Sequence, residues 1–243
     1  PVLKEDWFRA ADAVTEAPAV DENAHPTDMQ VIGAVQRAAR ENTVVMCAAG
    51  TMPGALKLLW QAPQGGYHME YGYSCMGYEI AGAMGIKLAA PEKEVICFVG
   101  DGSYMMANSE LATAAARKVP FTVVLTDNSG YGCINRLQIE CGGAEFNNLF
   151  DHSSVAQSNI DFAAHAASMG AAAVHVQTIA ELEEALKRAA DATGPFVVVI
   201  DTDPYPSTPH GGHWWDVAVP EVSPREEVME ARKGYEARLK ERT

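Results

Sequence analysis

Two short polar runs follow apolar runs at positions where a metal ion and a phosphate could be held. A Gly-Asp-Gly-Ser run at 100–103 comes directly after the apolar residues 95–99, and an Asp-Asn-Ser-Gly run at 127–130 follows the apolar residues 121–125. Because the carboxyl ends of neighbouring strands in an open α/β sheet meet at one edge, we expect Asp101 and Asn128 to lie close together. Their oxygens, with a backbone carbonyl at Gly130, are candidate Mg²⁺ ligands.

The residues around Asp101 also suit a phosphate. Glycines let backbone amides approach a ligand closely, and we expect a helix after Ser103 to point its positive end at the same place. Gly102 and Ser103 are therefore candidate contacts of a diphosphate. A Gly-Asp-Gly run alone is more often a surface turn, but strands on both sides of the gap favour a binding site. The chain has no G-x-x-x-x-G-K-[ST] loop, which argues against a triphosphate site.

The spacing of the two runs resembles the thiamine-diphosphate motif. Gly-Asp-Gly is followed by 24 residues and then by Asp127-Asn128. The family motif usually ends in Asn-Asn, so the chain departs from it at Asp127 and keeps Asn128, which matches the metal ligand. The resemblance implies thiamine diphosphate and Mg²⁺ as cofactors.

The net charge of the chain limits its classes of partner, and its cysteine content indicates a cell compartment. The chain of 243 residues has 18 basic and 32 acidic residues, a formal charge of −14. This charge argues against nucleic acid and anionic membranes as partners, and its simplest role is solubility. Five cysteines without a C-x-x-C pair favour reduced thiols and a cytoplasmic location. No apolar stretch is long enough to span a membrane, and the first residues do not resemble a signal peptide.

Two regions with different composition suggest how the chain is organised. Residues 1–25 are acidic and alanine-rich, and we interpret them as a linker or docking arm. Residues 26–243 are expected to form one cofactor-binding domain with a charged helical tail from about Arg225. Thr27 and Gln30 have the spacing of a capping box, which predicts a helix over 28–40.

The rest of the chain alternates between apolar runs and amphipathic segments. This pattern predicts a three-layer α/β/α fold with a mostly parallel sheet, which is the fold of the diphosphate-binding domain of thiamine enzymes. A polar, glycine-rich stretch after Gly130, extending to 148, is expected to form a mobile flap. The predicted strands are 43–48, 95–99, 121–126, 173–176 and 196–200, and the further predicted helices are 108–118, 160–169 and 178–192.

A second informative region spans 67–78. In the thiamine family the matching segment places an apolar side chain beneath the cofactor and a backbone carbonyl against its aminopyrimidine, and the resemblance assigns these roles to Met76 and Ser74. The plainer interpretation is that Met76 fills the core. Gly50 and Thr51 form either an ordinary strand-to-helix loop or a cofactor contact. Gly132 and Cys133 complete the expected cofactor-binding residues.

Longer runs resemble one subfamily. Residues 68–82, 131–138, 141–147 and 211–217 look like the C-terminal part of the trihydroxycyclohexane-1,2-dione hydrolases, which open the ring of an inositol-derived diketone to 5-deoxyglucuronate. The resemblance implies a C-terminal fragment, and the missing initiator Met agrees with a cut chain. The glutamate that activates the cofactor is then expected on a separate pyrimidine-binding domain of the same or another chain. We therefore expect no catalytic residue in this chain, and we expect neither Glu70 nor Glu79 to activate the cofactor.

Several polar residues could bind the hydroxyl groups of such a substrate. They are His68, Glu70, Asn135, Arg136, His210 and His213. We expect a homo-oligomer. The alternatives are a small subunit of a two-subunit thiamine-dependent 2-oxoacid decarboxylase or acetolactate-synthase-like enzyme, and a module that binds the cofactor without turnover. Missing C-x-x-C pairs disfavour an iron–sulfur oxidoreductase.

Overall fold

A single parallel sheet forms the centre of the molecule. The computed structural model describes residues 2–16, 24–70, 72–150, 160–208 and 218–241. Within these ranges the strands are β1 (Thr43–Cys47), β2 (Tyr67–Met69), β3 (Glu94–Gly100), β4 (Thr122–Asp127), β5 (Ala172–Val176) and β6 (Phe196–Asp201). Their order across the sheet is β2-β1-β3-β4-β6-β5, and every neighbouring pair is parallel.

Helices cover both faces of this sheet. They are α1 (Val2–Thr15), α2 (Asp28–Ala38), α3 (Met52–Leu59), α4 (Tyr78–Ala89), α5 (Asp101–Tyr104), α6 (Glu110–Arg117), α7 (Gly132–Glu140), α8 (Phe162–Ser168), α9 (Ile179–Ala190) and α10 (Glu226–Glu241). Helices α2, α3 and α9 contribute to the core on one face, and α4, α6 and α8 contribute to the core on the other. The predicted three-layer α/β/α arrangement is confirmed.

The central strands are buried because both of their faces are apolar. In β3, Ile96 and Phe98 pack into the core on one face, whereas Val95, Cys97 and Val99 pack into the core on the other. Unbroken apolar strands of this kind are typical of parallel sheets that helices cover on both sides. The five strands predicted from sequence are all present, with ends within one residue of the prediction. Strand β2 was not predicted, since three residues are too few to show a period.

The N-terminal segment differs from a free linker. Helix α1 packs against α2 and α3, where Ala11 is buried and the Trp7 indole Nε1 donates a hydrogen bond of 2.6 Å to the Leu58 carbonyl. A Cβ on Gly33 of α2 would stand 2.7 Å from the Thr15 carbonyl oxygen, so the two helices approach closely. Residues 2–15 therefore form a helix that packs on the domain. The interpretation of residues 1–25 as a linker or docking arm stays a prediction.

The glycine-rich stretch after Gly130 also differs from the expected flap. Residues 132–140 form helix α7, and the turn that follows is tied to it by hydrogen bonds from the Gly142 and Gly143 amides to the carbonyls of Ile139 and Gln138. Gly142 has a φ of 77°, and a Cβ there would stand 2.4 Å from the Glu227 carbonyl oxygen of α10. The predicted helical tail is present as α10, and it packs closely on this turn.

No helix within the described ranges is long and apolar enough to cross a membrane.

The capping box that begins α2 should contribute to the stability of the fold. The Gln30 amide donates to the Thr27 hydroxyl at 3.3 Å, and the Thr27 amide donates to the Gln30 side chain at 2.8 Å. We expect Thr27→Ala to lower the free energy of unfolding by about 1 kcal/mol, because an amide at the helix start loses its acceptor. Urea denaturation at constant m-value measures the change. Thr27→Ser is the matched control and should stay near wild type, and a loss as large as that of Thr27→Ala would contradict the capping role.

Candidate cofactor site

A cleft of about 510 Å³ opens at the carboxyl edge of the sheet. The chain runs from β1 to β2 on one side and then crosses to β3 on the other side of β1, so the direction of winding changes between β1 and β3. Open α/β sheets bind ligands in the crevice at such a point. The residues that line the cleft are Ala49, Gly50, Thr51, Met52, Gly72, Tyr73, Ser74, Met76, Gly100, Gly102, Ser103, Thr126, Asn128, Gly130, Tyr131, Gly132, Cys133, Ile134 and Leu137.

Two buried oxygens beside this cleft have no hydrogen-bond partner among the residues that the structure describes. The Asp101 carboxyl is buried, and its Oδ2 accepts a hydrogen bond of 2.7 Å from the Gly130 amide, whereas its Oδ1 has no partner among the described residues. The Oδ1 of buried Asn128 also lacks a partner there. Buried polar atoms are nearly always satisfied, so this pair of oxygens calls for a ligand. A carboxylate and an amide oxygen fit Mg²⁺, which takes oxygen ligands.

The loop after β4 is held in an uncommon backbone conformation. Ser129 has a φ of 59°, in the left-handed region, and its amide donates to the Asp127 Oδ1 at 3.0 Å. Gly130 has a φ of 146°, and a Cβ there would stand 2.3 Å from the Asn148 carbonyl oxygen. The Gly130 carbonyl oxygen in turn lies 3.3 Å from the position of a Cβ on Gly102. The third expected metal ligand is thus beside the Gly-Asp-Gly turn.

Negative charge is concentrated along this edge. Burial raises the pKa of Asp101 from 3.8 to about 7, and the neighbouring Asp127 carboxylate adds to the rise. Burial and Asp201 also raise the pKa of Asp127. Asp127 and Asp201 are paired in register on β4 and β6, and His175 on β5 contacts Asp201 at 2.8 Å. A cation bound at Asp101 would offset the repulsion in this group of carboxylates.

The segment before α4 brings Ser74 and Met76 to the cleft. Ser74 has a φ of 51°, and the turn around it is fixed by the Glu70 carboxylate, which accepts hydrogen bonds from the Cys75 amide at 2.9 Å and the Tyr73 amide at 3.4 Å. The Cys75 amide is the main cause of the lowered pKa of Glu70. Glu70 itself does not line the cleft. Its observed contacts shape the loop that carries Met76.

The other residues expected to contact substrate have neighbours of their own. The Arg136 guanidinium donates to the Thr51 hydroxyl at 2.5 Å and to the Pro204 carbonyl, so it joins α7 to two loops at the sheet edge. Asn135 is buried and donates to Glu145 at 2.7 Å. The His68 ring is 3.3 Å from the Tyr78 hydroxyl. His210 and His213 lie outside the described residues. Substrate contact by these residues stays a prediction.

Some residues at the site were missed from the sequence. Tyr131 covers the Gly-Asp-Gly turn, since a Cβ on Gly102 would stand 2.6 Å from its ring. Ile134 and Leu137 line the cleft one turn apart on α7, a spacing that could have been noticed if the stretch had been recognised as helical. The sequence suggests no role for Glu79 other than that of a cofactor activator, which is not assigned to it. It is buried behind the cleft wall, and no single-sequence pattern marked it.

The raised pKa of Asp101 makes a prediction about stability without metal. The carboxyl holds its proton more tightly in the folded chain than in the unfolded one, so the free energy of unfolding falls as pH rises from about 4 to about 7. We expect Asp101→Asn to remove this penalty. In chelator at pH 8 the variant should be more stable than wild type by on the order of 2–4 kcal/mol, and at pH 4 the two should be nearly equal.

Urea denaturation at the two pH values measures this difference. Asp28, whose pKa burial raises to about 6, titrates in both proteins and cancels in the comparison. A variant that is no more stable than wild type at pH 8 would show that Asp101 is not strained when ionised.

A protein-family comparison agrees with the position of the cleft. The family described as "Thiamine pyrophosphate enzyme, C-terminal TPP binding domain" matches residues 48–200, which is more than half of the chain. The match includes the cleft-lining segments from Ala49 to Leu137.

Relatives with known names share substantial sequence identity with the chain. A 3D-(3,5/4)-trihydroxycyclohexane-1,2-dione hydrolase from Shouchella clausii is 40% identical over 209 residues, which are 86% of this chain and 33% of the relative. A protein with the same name from Halalkalibacterium halodurans is 44% identical over 192 residues, which are 78% of this chain and 30% of the relative. The chain therefore spans about a third of the length of these relatives.

Solved structures share the fold. Benzoylformate decarboxylase from Polynucleobacter necessarius has a TM-score of 0.68 at 17% identity. The match covers 79% of this chain and 36% of the decarboxylase chain. The thiamine diphosphate-dependent 4-hydroxybenzoylformate decarboxylase of Rhodococcus jostii RHA1 has a TM-score of 0.67 at 23% identity. This match covers 79% of this chain and 35% of the decarboxylase chain. Fold, cleft and family match agree, and the chain belongs to the thiamine pyrophosphate enzymes, in which it corresponds to the C-terminal cofactor-binding domain.

Proposed function

We propose that this chain is the thiamine-diphosphate- and Mg²⁺-binding part of a carbon–carbon bond hydrolase that opens the ring of trihydroxycyclohexane-1,2-dione in inositol degradation. The observation that carries the cofactor assignment is the pair of unpartnered oxygens on Asp101 and Asn128 at the ends of adjacent strands. The substrate assignment rests on relatives that are named as hydrolases of this dione and are 40–44% identical.

The residues of the chain divide the work of holding the cofactor. Asp101, Asn128 and the Gly130 carbonyl hold the metal ion, which neutralises a diphosphate. Gly102 and Ser103 would offer backbone amides to the phosphates, and Gly132 and Cys133 at the start of α7 line the same cleft and would also contact the cofactor. When bound, thiamine diphosphate supplies a carbon nucleophile and an electron sink for breaking a bond next to a ketone.

The wall of the cleft orients the organic part of the cofactor. Met76 and Ser74 line the cleft, where Met76 would support the cofactor from beneath and Ser74 would offer a backbone carbonyl to it. Gly50 and Thr51 line the wall after β1. Arg136 holds Thr51 in place through its side chain. These groups bind and orient, and none of them is assigned to transfer a proton. The contacts of Glu70 with the Cys75 and Tyr73 amides support leaving it unassigned as an activator.

A pyrimidine-binding domain of the same or another chain completes the site, and the active form is a homo-oligomer. Exposed apolar side chains at the cleft support a covering partner. Tyr73 is 92% exposed and Ile134 is 51% exposed, although both line the cleft. Exposed apolar groups that share one surface can mark an interface, whereas isolated ones do not. The five free cysteines support the proposed cytoplasmic location.

The metal assignment predicts the loss of cofactor binding in two variants. We expect Asp101→Ala and Asn128→Ala each to abolish Mg²⁺-dependent thiamine-diphosphate binding, because each removes a hard oxygen ligand. Calorimetric titration with Mg²⁺, and with chelator, measures the binding. Asn42→Ala is the matched control, since the Asn42 side chain bonds the Glu92 carbonyl next to the amino end of β3, away from the cleft. Undiminished affinity in both variants, with the fold intact, would exclude this metal site.

The incomplete site predicts that the chain alone is inactive. At saturating Mg²⁺ and thiamine diphosphate, the purified chain should not consume the cyclic dione, because general acid–base assistance of the kind expected from the missing glutamate is worth about 10²–10⁴-fold in rate. Adding the two N-terminal domains of a dione hydrolase should restore turnover. Turnover by the chain alone at the rate of a complete enzyme would contradict the proposal, and restored activity on a 2-oxoacid instead of the dione would favour the decarboxylase alternative.

A further inference from the structure

Glu79 is a buried carboxyl group whose hydrogen bonds join three separate segments. It lies in the first turn of α4 and is 1% exposed. Its Oε1 accepts hydrogen bonds from the Ser103 hydroxyl at 2.7 Å and from the Ala49 amide at 3.3 Å. Its Oε2 accepts from the Gly77 amide at 2.9 Å, and that amide also donates to the Ser103 oxygen at 2.9 Å. One side chain therefore holds the ends of β1 and β3 and the start of α4.

Helix capping alone does not explain this arrangement. The bond to the Gly77 amide satisfies a donor at the start of α4, as a capping carboxylate would. The bonds to Ala49 and Ser103 go to segments 30 and 24 residues away. A capping carboxylate can also stay in water, whereas this one is buried among neutral partners and carries a desolvation cost, because of which its pKa is raised. A buried carboxyl group with this set of bonds calls for a further role.

Each partner of Glu79 is adjacent in sequence to a proposed cofactor contact. Ala49 precedes Gly50, and Gly77 follows Met76. Ser103 follows Gly102 in the turn that begins with the metal ligand Asp101. The Glu79 carboxylate therefore connects three segments that would surround the cofactor. They are the segment after β1, the segment that contains Met76 and the turn that would hold the diphosphate.

We propose that Glu79 is a positioning residue that fixes these three segments of the cofactor site relative to one another. The inference rests on the proposed function, because it assigns the means by which that site is assembled. It also assigns the Ser103 hydroxyl to this network: its proton goes to Glu79, so the hydroxyl acts through the carboxylate and leaves contact with the diphosphate to its backbone amide.

The chemistry of the partners specifies a carboxylate. The two amides can only donate, and the Ser103 hydroxyl donates to Glu79 while its oxygen accepts from Gly77. A group that accepts at both oxygens satisfies all of them. In Glu79→Gln the side chain keeps its shape, but its Nε2 is a donor and must face at least one backbone amide that is also a donor. The substitution therefore breaks the network without creating a cavity.

The experiment compares Glu79→Gln with Glu94→Gln in the full chain. Glu94 is partly buried at the amino end of β3 and accepts a hydrogen bond from the Thr43 hydroxyl, so its substitution tests a lost carboxylate away from the cleft. Amide hydrogen exchange without cofactor reports on the network itself. We expect exchange to rise by at least about tenfold at Ala49 or Gly77 in Glu79→Gln alone, at whichever of the two amides faces the new Nε2 donor, since that amide loses its carboxylate acceptor.

Calorimetric titration with thiamine diphosphate and Mg²⁺ reports on positioning. At a temperature where wild type and both variants are folded, we expect Kd to rise about 10- to 100-fold in Glu79→Gln and to stay unchanged in Glu94→Gln. A purely structural role would lower the unfolding temperature and leave this affinity unchanged. Unchanged affinity or unchanged amide exchange in Glu79→Gln overturns the inference alone, whereas a wild-type chain that does not bind the cofactor overturns the proposed function and the inference with it.

Ser103→Ala provides the same test if Glu79→Gln does not fold. The substitution removes the Ser103 hydroxyl and keeps the Glu79 carboxylate. It leaves the hydrogen bonds from the Ala49 and Gly77 amides to Glu79 in place. We expect the exchange of the Gly77 amide and the Kd each to rise about tenfold. A Ser103→Ala variant with wild-type affinity overturns the inference.

Discussion

The hydrogen bond from the Gly130 amide to Asp101 depends on the register of β3 and β4, and much of the site depends on that bond. Gly100 is paired with Thr126, so the residues that follow each strand emerge side by side. Asp101 then meets the loop that contains Asn128 and Gly130. A shift of one residue in a strand turns its side chains to the opposite face. The apolar residues of β3 and β4, which are buried on both faces, therefore fix the register that the proposed metal site requires.

The same edge shows a conflict between folding and binding. Two buried oxygens without a hydrogen-bond partner in the described part of the chain, together with three neighbouring carboxylates, lower the stability of the fold, and a bound cation would offset this cost. The large apolar core on the two faces of the sheet tolerates this local cost. Asp127 adds to the cost, because the thiamine motif usually has Asn at this position. If the proposed Mg²⁺ binds, the extra negative charge of Asp127 should make the site more dependent on that cation than a site with Asn.

Much of the fold could be predicted from sequence because the strands are apolar on both faces and are bounded by glycine or polar residues. The capping box at Thr27 fixed the start of α2 equally well. The approximate location of the site followed from Asp101 and Asn128, since their strand ends must meet. Helix α7 was not predicted, because Gly132 and the later glycines Gly142 and Gly143 indicate a loop. In the structure Gly132 lies close to Asn128: a Cβ on Gly132 would stand 3.1 Å from the Asn128 side-chain nitrogen, which is a tight contact. The role of Glu79 depends on three segments that are distant in sequence, and local patterns carry no information about such a contact.

The family match and the folded unit begin at different places in the chain, and strand β1 lies between these two starting points. The family match begins at residue 48, immediately after β1 ends at Cys47. Strand β1 lies between β2 and β3, and helices α1 and α2, which precede it, cover one face of the sheet. A fragment cut at the boundary of the match would lack the strand that joins β2 to the rest. It would also leave Ile96 and Phe98 without much of their covering layer, and the exposed edge of β3 would be open to pairing with other chains. For expression or domain exchange, a boundary N-terminal to α1 keeps this layer, whereas a boundary at residue 48, where the family match begins, removes it.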